Sequence, residues 1–202
     1  MFYERGYDGH VVDVDGNDYI DLMCAFGPII LGYNETKISK ALYERMEDGF
    51  CFTMCQNIQN VLLEKLCELI PCAEMGLLGK SGSDATTMAA RISRAYTGKK
   101  KILRCGYHGW HDWCVEHDSS VPKEFADLTI GFPYNDLEAL EFLLKQNKDE
   151  VAAIFIAPVM HNRSMPVTEP FPGYLEGVRE LADKYGAVLV FDEIRTGFRM
   201  SM

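Results

Sequence analysis

The run Ala187-Val188-Leu189-Val190-Phe191 contains no polar side chain, is rich in β-branched residues and is entered through Gly186. A strand with one solvated face alternates apolar and polar residues; a run without alternation must be covered on both faces, as strands of a parallel sheet are. From Asn60 onward such runs alternate with helical patterns: helix over 61–70, strand over 75–79, helix over 83–96, strand over 101–105, helix over 137–145, strand over 151–156, helix over 174–184 and strand over 187–191. That order predicts βαβ crossovers and an α/β fold with a mainly parallel sheet. Before it, residues 10–22 alternate around Asp15-Gly16-Asn17-Asp18, a hairpin signal, and residues 36–46 have helical spacing. The expected organisation is a small N-terminal α+β element over 1–50 and a large domain over 51–202.

The chain of 202 residues is long enough to bury a core, and its 48% hydrophobic and 25% charged composition is that of a globular protein. A net charge of −10 argues against nonspecific nucleic-acid binding, which draws on phosphate neutralisation by Lys and Arg. Seven scattered cysteines, an odd number, do not form a disulfide framework. The opening MFYERGYDGH lacks a basic segment followed by an apolar one, and no apolar run is long enough to span a bilayer. The expectation is a cytoplasmic protein that handles a small molecule, with neither nucleic acid nor membrane as partner.

Asp192 follows the last apolar run directly. The C-terminal edge of a parallel sheet is where ligands bind, so this carboxylate either holds a cofactor or caps a turn. Gly79-Lys80-Ser81-Gly82-Ser83-Asp84-Ala85 opens a helix after a short apolar segment. Glycine admits close backbone approach and the first helical turn offers free N–H groups, which suits a phosphate; a plain N-cap is the alternative. A nucleotide P-loop is rejected, because Glu74 stands where that motif needs glycine. Past the strand over 101–105, Cys105, His108, His111 and Cys114 recur every three residues. Such steps along one helix do not surround a tetrahedral metal, so no metal site is assigned. Tyr107, between Gly106 and His108-Gly109, suits stacking on a planar ligand or simple loop packing. Ala157-Pro158-Val159-Met160-His161-Asn162 follows the strand over 151–156 and brings a polar loop to the same edge.

Phosphate cradle, stacking aromatic and carboxylate together suit pyridoxal 5'-phosphate, and the chain resembles the class III aminotransferases of fold type I, within them the glutamate-1-semialdehyde aminomutase branch. The resemblance runs from about Gly9 to Arg199 on VVDVDGNDYIDL, GPIILGY, SGSDATTMAARISRAYTG, YHGWHD, PGYLEGVRELADKYGAVLVFDE and TGFR, in the family's order. It implies that Ser81, Gly82 and Ser83 hold the cofactor phosphate and that Tyr107 stacks on the ring, with His108 beside it in the cofactor-binding set. It implies that Asp192 bonds the ring nitrogen and keeps it protonated, which makes the ring an electron sink. Asp84 replaces the usual glutamate, and Ala157 the glutamate of the family's Glu-Pro-Val. Asn162, a substrate-side candidate, matches the aminomutase branch rather than the ω-aminotransferases. The family's Schiff-base lysine lies some tens of residues beyond TGFR, and no lysine in 1–202 matches it, so the catalytic residue is unassigned and the enzyme is expected to be incomplete in this chain. The implied activity is amino-group transfer on an amino acid, amine or semialdehyde, with 1,2-transposition in glutamate 1-semialdehyde as the first expectation. The complete protein is expected to be a homodimer, with a complementing C-terminal chain if the gene is split. The alternatives are a noncatalytic remnant that keeps the fold and an ω-aminotransferase of another amine. A Rossmann-type enzyme is disfavoured by the missing GxGxxG fingerprint.

Overall fold

The computed structural model describes residues 2–115, 120–162 and 165–200, with backbone only at 161, 162, 165 and 166. Two compact units result, Met1–Glu68 and Leu69–Met202.

In the first unit, β1 (Tyr3–Tyr7), β2 (His10–Asp13) and β3 (Asp18–Ile20) form an antiparallel sheet in that order. The hairpin expected over 10–22 is β2–β3, turned at Gly16 with φ +86°. Its tightness comes from Asp13, whose carboxylate accepts the Asn17 side-chain amide, the backbone N–H groups of Asn17 and Asp15, and the Tyr19 hydroxyl. The Asn17 side-chain bond, ahead of the others, holds the Asp13 carboxyl below the usual carboxylate range. Two helices follow, α1 (Thr36–Glu47) and α2 (Asn57–Leu69).

The second unit contains α3 (Gly82–Thr97), β4 (Lys101–Cys105), α4 (Lys123–Ala126), β5 (Thr129–Gly131), α5 (Leu137–Gln146), β6 (Val151–Ile156), β7 (Met160–Asn162), β8 (Met165–Thr168), α6 (Tyr174–Tyr185) and β9 (Val188–Phe191). Four strands pair in the order β5-β4-β6-β9, every pair parallel, and β7–β8 is a separate antiparallel hairpin. All six residues of β6 are buried, as its unbroken apolar sequence demands. Successive side chains serve opposite faces. Ile154 and Ile156 pack with Leu103, Leu140, Leu144 and Val178 under α5 and α6. Ala153 and Phe155 pack with Ile102, Ala90 of α3 and Trp113 on the other side. Both faces of β6 are thus covered, as in the α/β sheet anticipated from the sequence. The run over 187–191, also expected to be covered, is not, because β9 ends the described sheet with one neighbour only, leaving residues 188–190 half-buried and Phe191 exposed.

One element differs. Residues 75–79, expected as a strand, have no strand assignment, and Met75 and Leu77 are exposed. A parallel strand is stable only beside a neighbour, and among the described residues this run has none. The apolar run alone therefore does not make a strand. The C-terminal ends of β4, β6 and β9 are level: Cys105 pairs with Ile156, and Ile156 with Phe191. Whatever follows these residues shares one rim.

Candidate functional site

Asp192 continues the parallel ladder by one bond, its N–H donating to Ile156 C=O at 2.8 Å. This fixes the backbone, and the carboxylate turns to two partners: Oδ1 accepts the Ile194 N–H at 3.1 Å, and Oδ2 lies 2.8 Å from His108 Nδ1. The His108 side chain is fully buried and that of Asp192 is 8% exposed. His108 Nε2 lies 2.9 Å from the Cys105 carbonyl, and a carbonyl only accepts, so Nε2 carries a proton. With Nε2 engaged by that carbonyl, Nδ1 is the ring nitrogen that faces Asp192. Phe155 of β6 packs on the ring with centroids 5.8 Å apart. The result is a buried acid–imidazole pair at the sheet's C-terminal rim, 84 residues apart in sequence.

The Ser81–Ser83 turn is built by its own sequence. Ser81 is the N-cap of α3 in extended conformation; its Oγ accepts the Asp84 N–H, while Asp84 Oδ2 accepts both Ser81 N–H at 3.0 Å and Ser81 Oγ–H at 2.8 Å. This reciprocal box leaves the N–H groups of Gly82 and Ser83 outside the helical ladder. The Ser81 hydroxyl bond holds the Asp84 carboxyl below its ordinary range. The Ser81→Ala variant is expected to lose about 1 kcal/mol of stability in urea unfolding at neutral pH. Because the Asp84 value is depressed in the folded state, its contribution is complete above the ordinary carboxylate range and is lost as pH falls through the depressed value. The difference between Ser81→Ala and the parent should therefore shrink in strong acid.

Three contacts tie this turn to the rim. A Cβ on Gly82 would stand 2.5 Å from Cδ1 of Ile194, two residues past Asp192. A Cβ on Gly109 would stand 2.7 Å from Ser83 Oγ and 3.1 Å from Ser83 Cα, at a φ of +117° that L residues rarely adopt. Thr86 Oγ1 donates to the His108 carbonyl at 2.7 Å. Gly82, Ser83, His108 and Asp192 are thus gathered through contacts of Ile194, Gly109 and Thr86, and Ser81 adjoins them as the cap of α3. Tyr107 sits on the same loop and is 67% exposed. Ala157, directly after β6, is buried and uncharged. The backbone of Asn162 belongs to β7, but its side chain lies outside the described residues.

The cysteine–histidine series over 105–114 has other engagements. Burial pushes the Cys105 thiol up to about 12 and the Cys114 thiol up to about 11, which keeps both un-ionised at neutral pH. His111 Nδ1 lies 2.8 Å from Thr87 Oγ1, which also accepts the Trp113 indole N–H. Sequence reasoning did not single out Thr86 or Gly109. The signal for Gly109 was present, since a second glycine three residues after Gly106 marks a loop pressed against another segment. Thr86 had none, because a helical threonine usually bonds its own helix.

The family model described as "Aminotransferase class-III" matches residues 1–201. The 3-aminobutyryl-CoA aminotransferase of Cloacimonas acidaminovorans (strain Evry) is 54% identical over the whole chain, which covers 49% of that protein. A glutamate-1-semialdehyde 2,1-aminomutase 2 of an Exiguobacterium species is 38% identical over 99% of the chain and 49% of its own length. Among solved structures, the FumI protein of Sphingopyxis sp. MTA144 in its PLP internal aldimine form superposes with a TM-score of 0.93 at 32% identity, covering 98% of this chain and 48% of that one. The chain spans about half the length of the relatives it matches. The α/β sheet is that of the fold type I transaminases, whose cofactor is pyridoxal 5'-phosphate. With its family model matched across nearly every residue, the chain belongs to the class III aminotransferases.

Proposed function

We propose that residues 69–202 form the phosphate-and-ring portion of a pyridoxal phosphate site, in an enzyme that transfers the amino group of a 3-aminoacyl thioester. The observation that carries the cofactor reading is the buried His108–Asp192 contact at the sheet rim, beside an open helical N-terminus. A carboxylate so sheltered suits a ring nitrogen better than water, and its two oxygens are already oriented by His108 and the Ile194 N–H. The Gly82 and Ser83 N–H groups suit a dianionic phosphate. When bound, pyridoxal phosphate supplies the electron sink for proton loss at the substrate carbon. Asp192 would hold the proton at the ring nitrogen, and His108 would keep the carboxylate in place. Tyr107 would offer its exposed ring as a stacking face. Ala157 adds no charge, so recognition on that side falls to other groups.

The thioester is favoured because identity to the 3-aminobutyryl-CoA aminotransferase, 54%, exceeds the 38% shared with the aminomutase. A second reading, 1,2-transposition in glutamate 1-semialdehyde, is supported by Asn162, which matches the aminomutase branch. Two further elements belong to the proposal. The lysine that holds the cofactor comes from sequence outside residues 1–202, and the working form is a cytoplasmic homodimer. No helix among the described residues is long and apolar enough to cross a membrane.

The test joins this chain, by co-expression, to a segment matching the other half of the relatives. Pyridoxal phosphate should then be trapped by borohydride on a lysine of the added segment. The kcat/KM for 3-aminobutyryl-CoA should exceed that for glutamate 1-semialdehyde by about tenfold or more. The opposite preference would establish the second reading. An assembled pair that never binds the cofactor would make the chain a noncatalytic remnant.

A further inference from the structure

We propose that Thr86 is a positioning residue that holds His108, and through it Asp192, in fixed relation to the Ser81–Ser83 turn. The ordinary role of a threonine inside a helix is to return its hydroxyl proton to a carbonyl three or four residues back. Thr86 has both such acceptors, Gly82 O at 3.1 Å and Ser83 O at 3.2 Å, but its shortest contact leaves the helix for the His108 carbonyl at 2.7 Å. A hydroxyl has one proton, and Thr86 is buried, so no water substitutes for it. The partner is also telling. His108 is held at its ring by Cys105 O and Asp192 Oδ2, and at its main chain by Thr86. Its neighbour Gly109 lies against Ser83.

A continuous chain of bonds therefore runs from the first turn of α3 through the Thr86 hydroxyl, the His108 peptide and the His108 ring to the Asp192 carboxylate. Its two ends are the groups assigned to opposite ends of one cofactor, the phosphate and the ring nitrogen. Two sites that must grip one rigid ligand gain from being joined by a short buried link rather than through separate loops. The inference rests on the cofactor reading for its catalytic meaning, although the hold on His108 can be measured without any ligand.

The test compares Thr86→Ala with Thr86→Ser in the 202-residue chain, two variants that both lack the γ-methyl and differ by one hydroxyl. Should Thr86→Ala fail to fold, Thr86→Val keeps the branched volume and serves as the donorless partner. Without ligand, the imidazole ¹⁵N signals of His108 should match the parent in Thr86→Ser and move in the donorless variant. With 4'-deoxypyridoxine 5'-phosphate as probe, the donorless variant should bind about fivefold more weakly. Its affinity for inorganic phosphate should stay within about twofold, since the helical turn itself is untouched. His108 signals that are identical in all variants would overturn the proposal. A parent chain that does not bind the probe would overturn the cofactor reading, whatever the His108 signals do.

Discussion

Replacing Asp192 by alanine should lower the stability of the chain by about 3 kcal/mol, because it leaves the fully buried His108 ring facing a space with no acceptor. Urea unfolding with intact slope reads this directly. The Asp192→Asn variant separates stability from chemistry. Its amide has the same shape and can still bond Nδ1, so the fold should lose only about 1–2 kcal/mol. The charge that keeps a ring nitrogen protonated is gone, however, and amino transfer in the completed enzyme should fall by about 10²–10³-fold. A small loss of stability together with a large loss of rate is the pattern of an electrostatic role. Parallel losses would reduce Asp192 to a strand-end cap.

The second large effect is expected at Gly109. Alanine there must adopt a φ of +117° and bring its Cβ to 2.7 Å from Ser83 Oγ. Backbone strain of about 1–3 kcal/mol adds to a steric cost of similar size. The clash falls on Ser83, so the phosphate turn should be displaced from the rim, and affinity for phosphate esters should drop by about tenfold or more. A Ser83→Gly change in the Gly109→Ala background removes the clash with the Ser83 side chain but leaves the 3.1 Å approach to its Cα and the backbone strain. It should recover some of the stability, and a double-mutant cycle in thermal or urea unfolding measures how much. If the two substitutions prove additive, the Ser83–Gly109 contact does not join the two segments.

The legibility of the fold follows from where its stability lies. β6 announces itself because a strand buried on both faces cannot carry polar residues, and VAAIFI has none. AVLVF reads the same way, although β9 ends the described sheet with residues 188–190 half-buried and Phe191 exposed. Residues 75–79 look similar but form no strand, because pairing depends on a neighbour that the run does not encode. β5 and β7 are three residues each and take their shape from the strands beside them. In the site, the Ser81–Asp84 box was readable because a capping motif is local. The link between His108 and Asp192 was not: both residues stood out as candidates, yet only the level ends of β4, β6 and β9 bring them within 2.8 Å. Thr86 lies beyond sequence reading for the same reason, since its partner is a main-chain carbonyl on another segment.

The most direct test of the account is the protonation of a ring nitrogen bound to residues 1–202. The probe is 4'-deoxypyridoxine 5'-phosphate labelled with ¹⁵N in the ring, which has no aldehyde and so binds without a lysine. The chain should keep the bound nitrogen protonated to a higher pH than the free probe, and Asp192→Asn should abolish that difference. A bound nitrogen that titrates as it does in free solution, or one indifferent to Asp192→Asn, would contradict the assignment of Asp192 and with it the site.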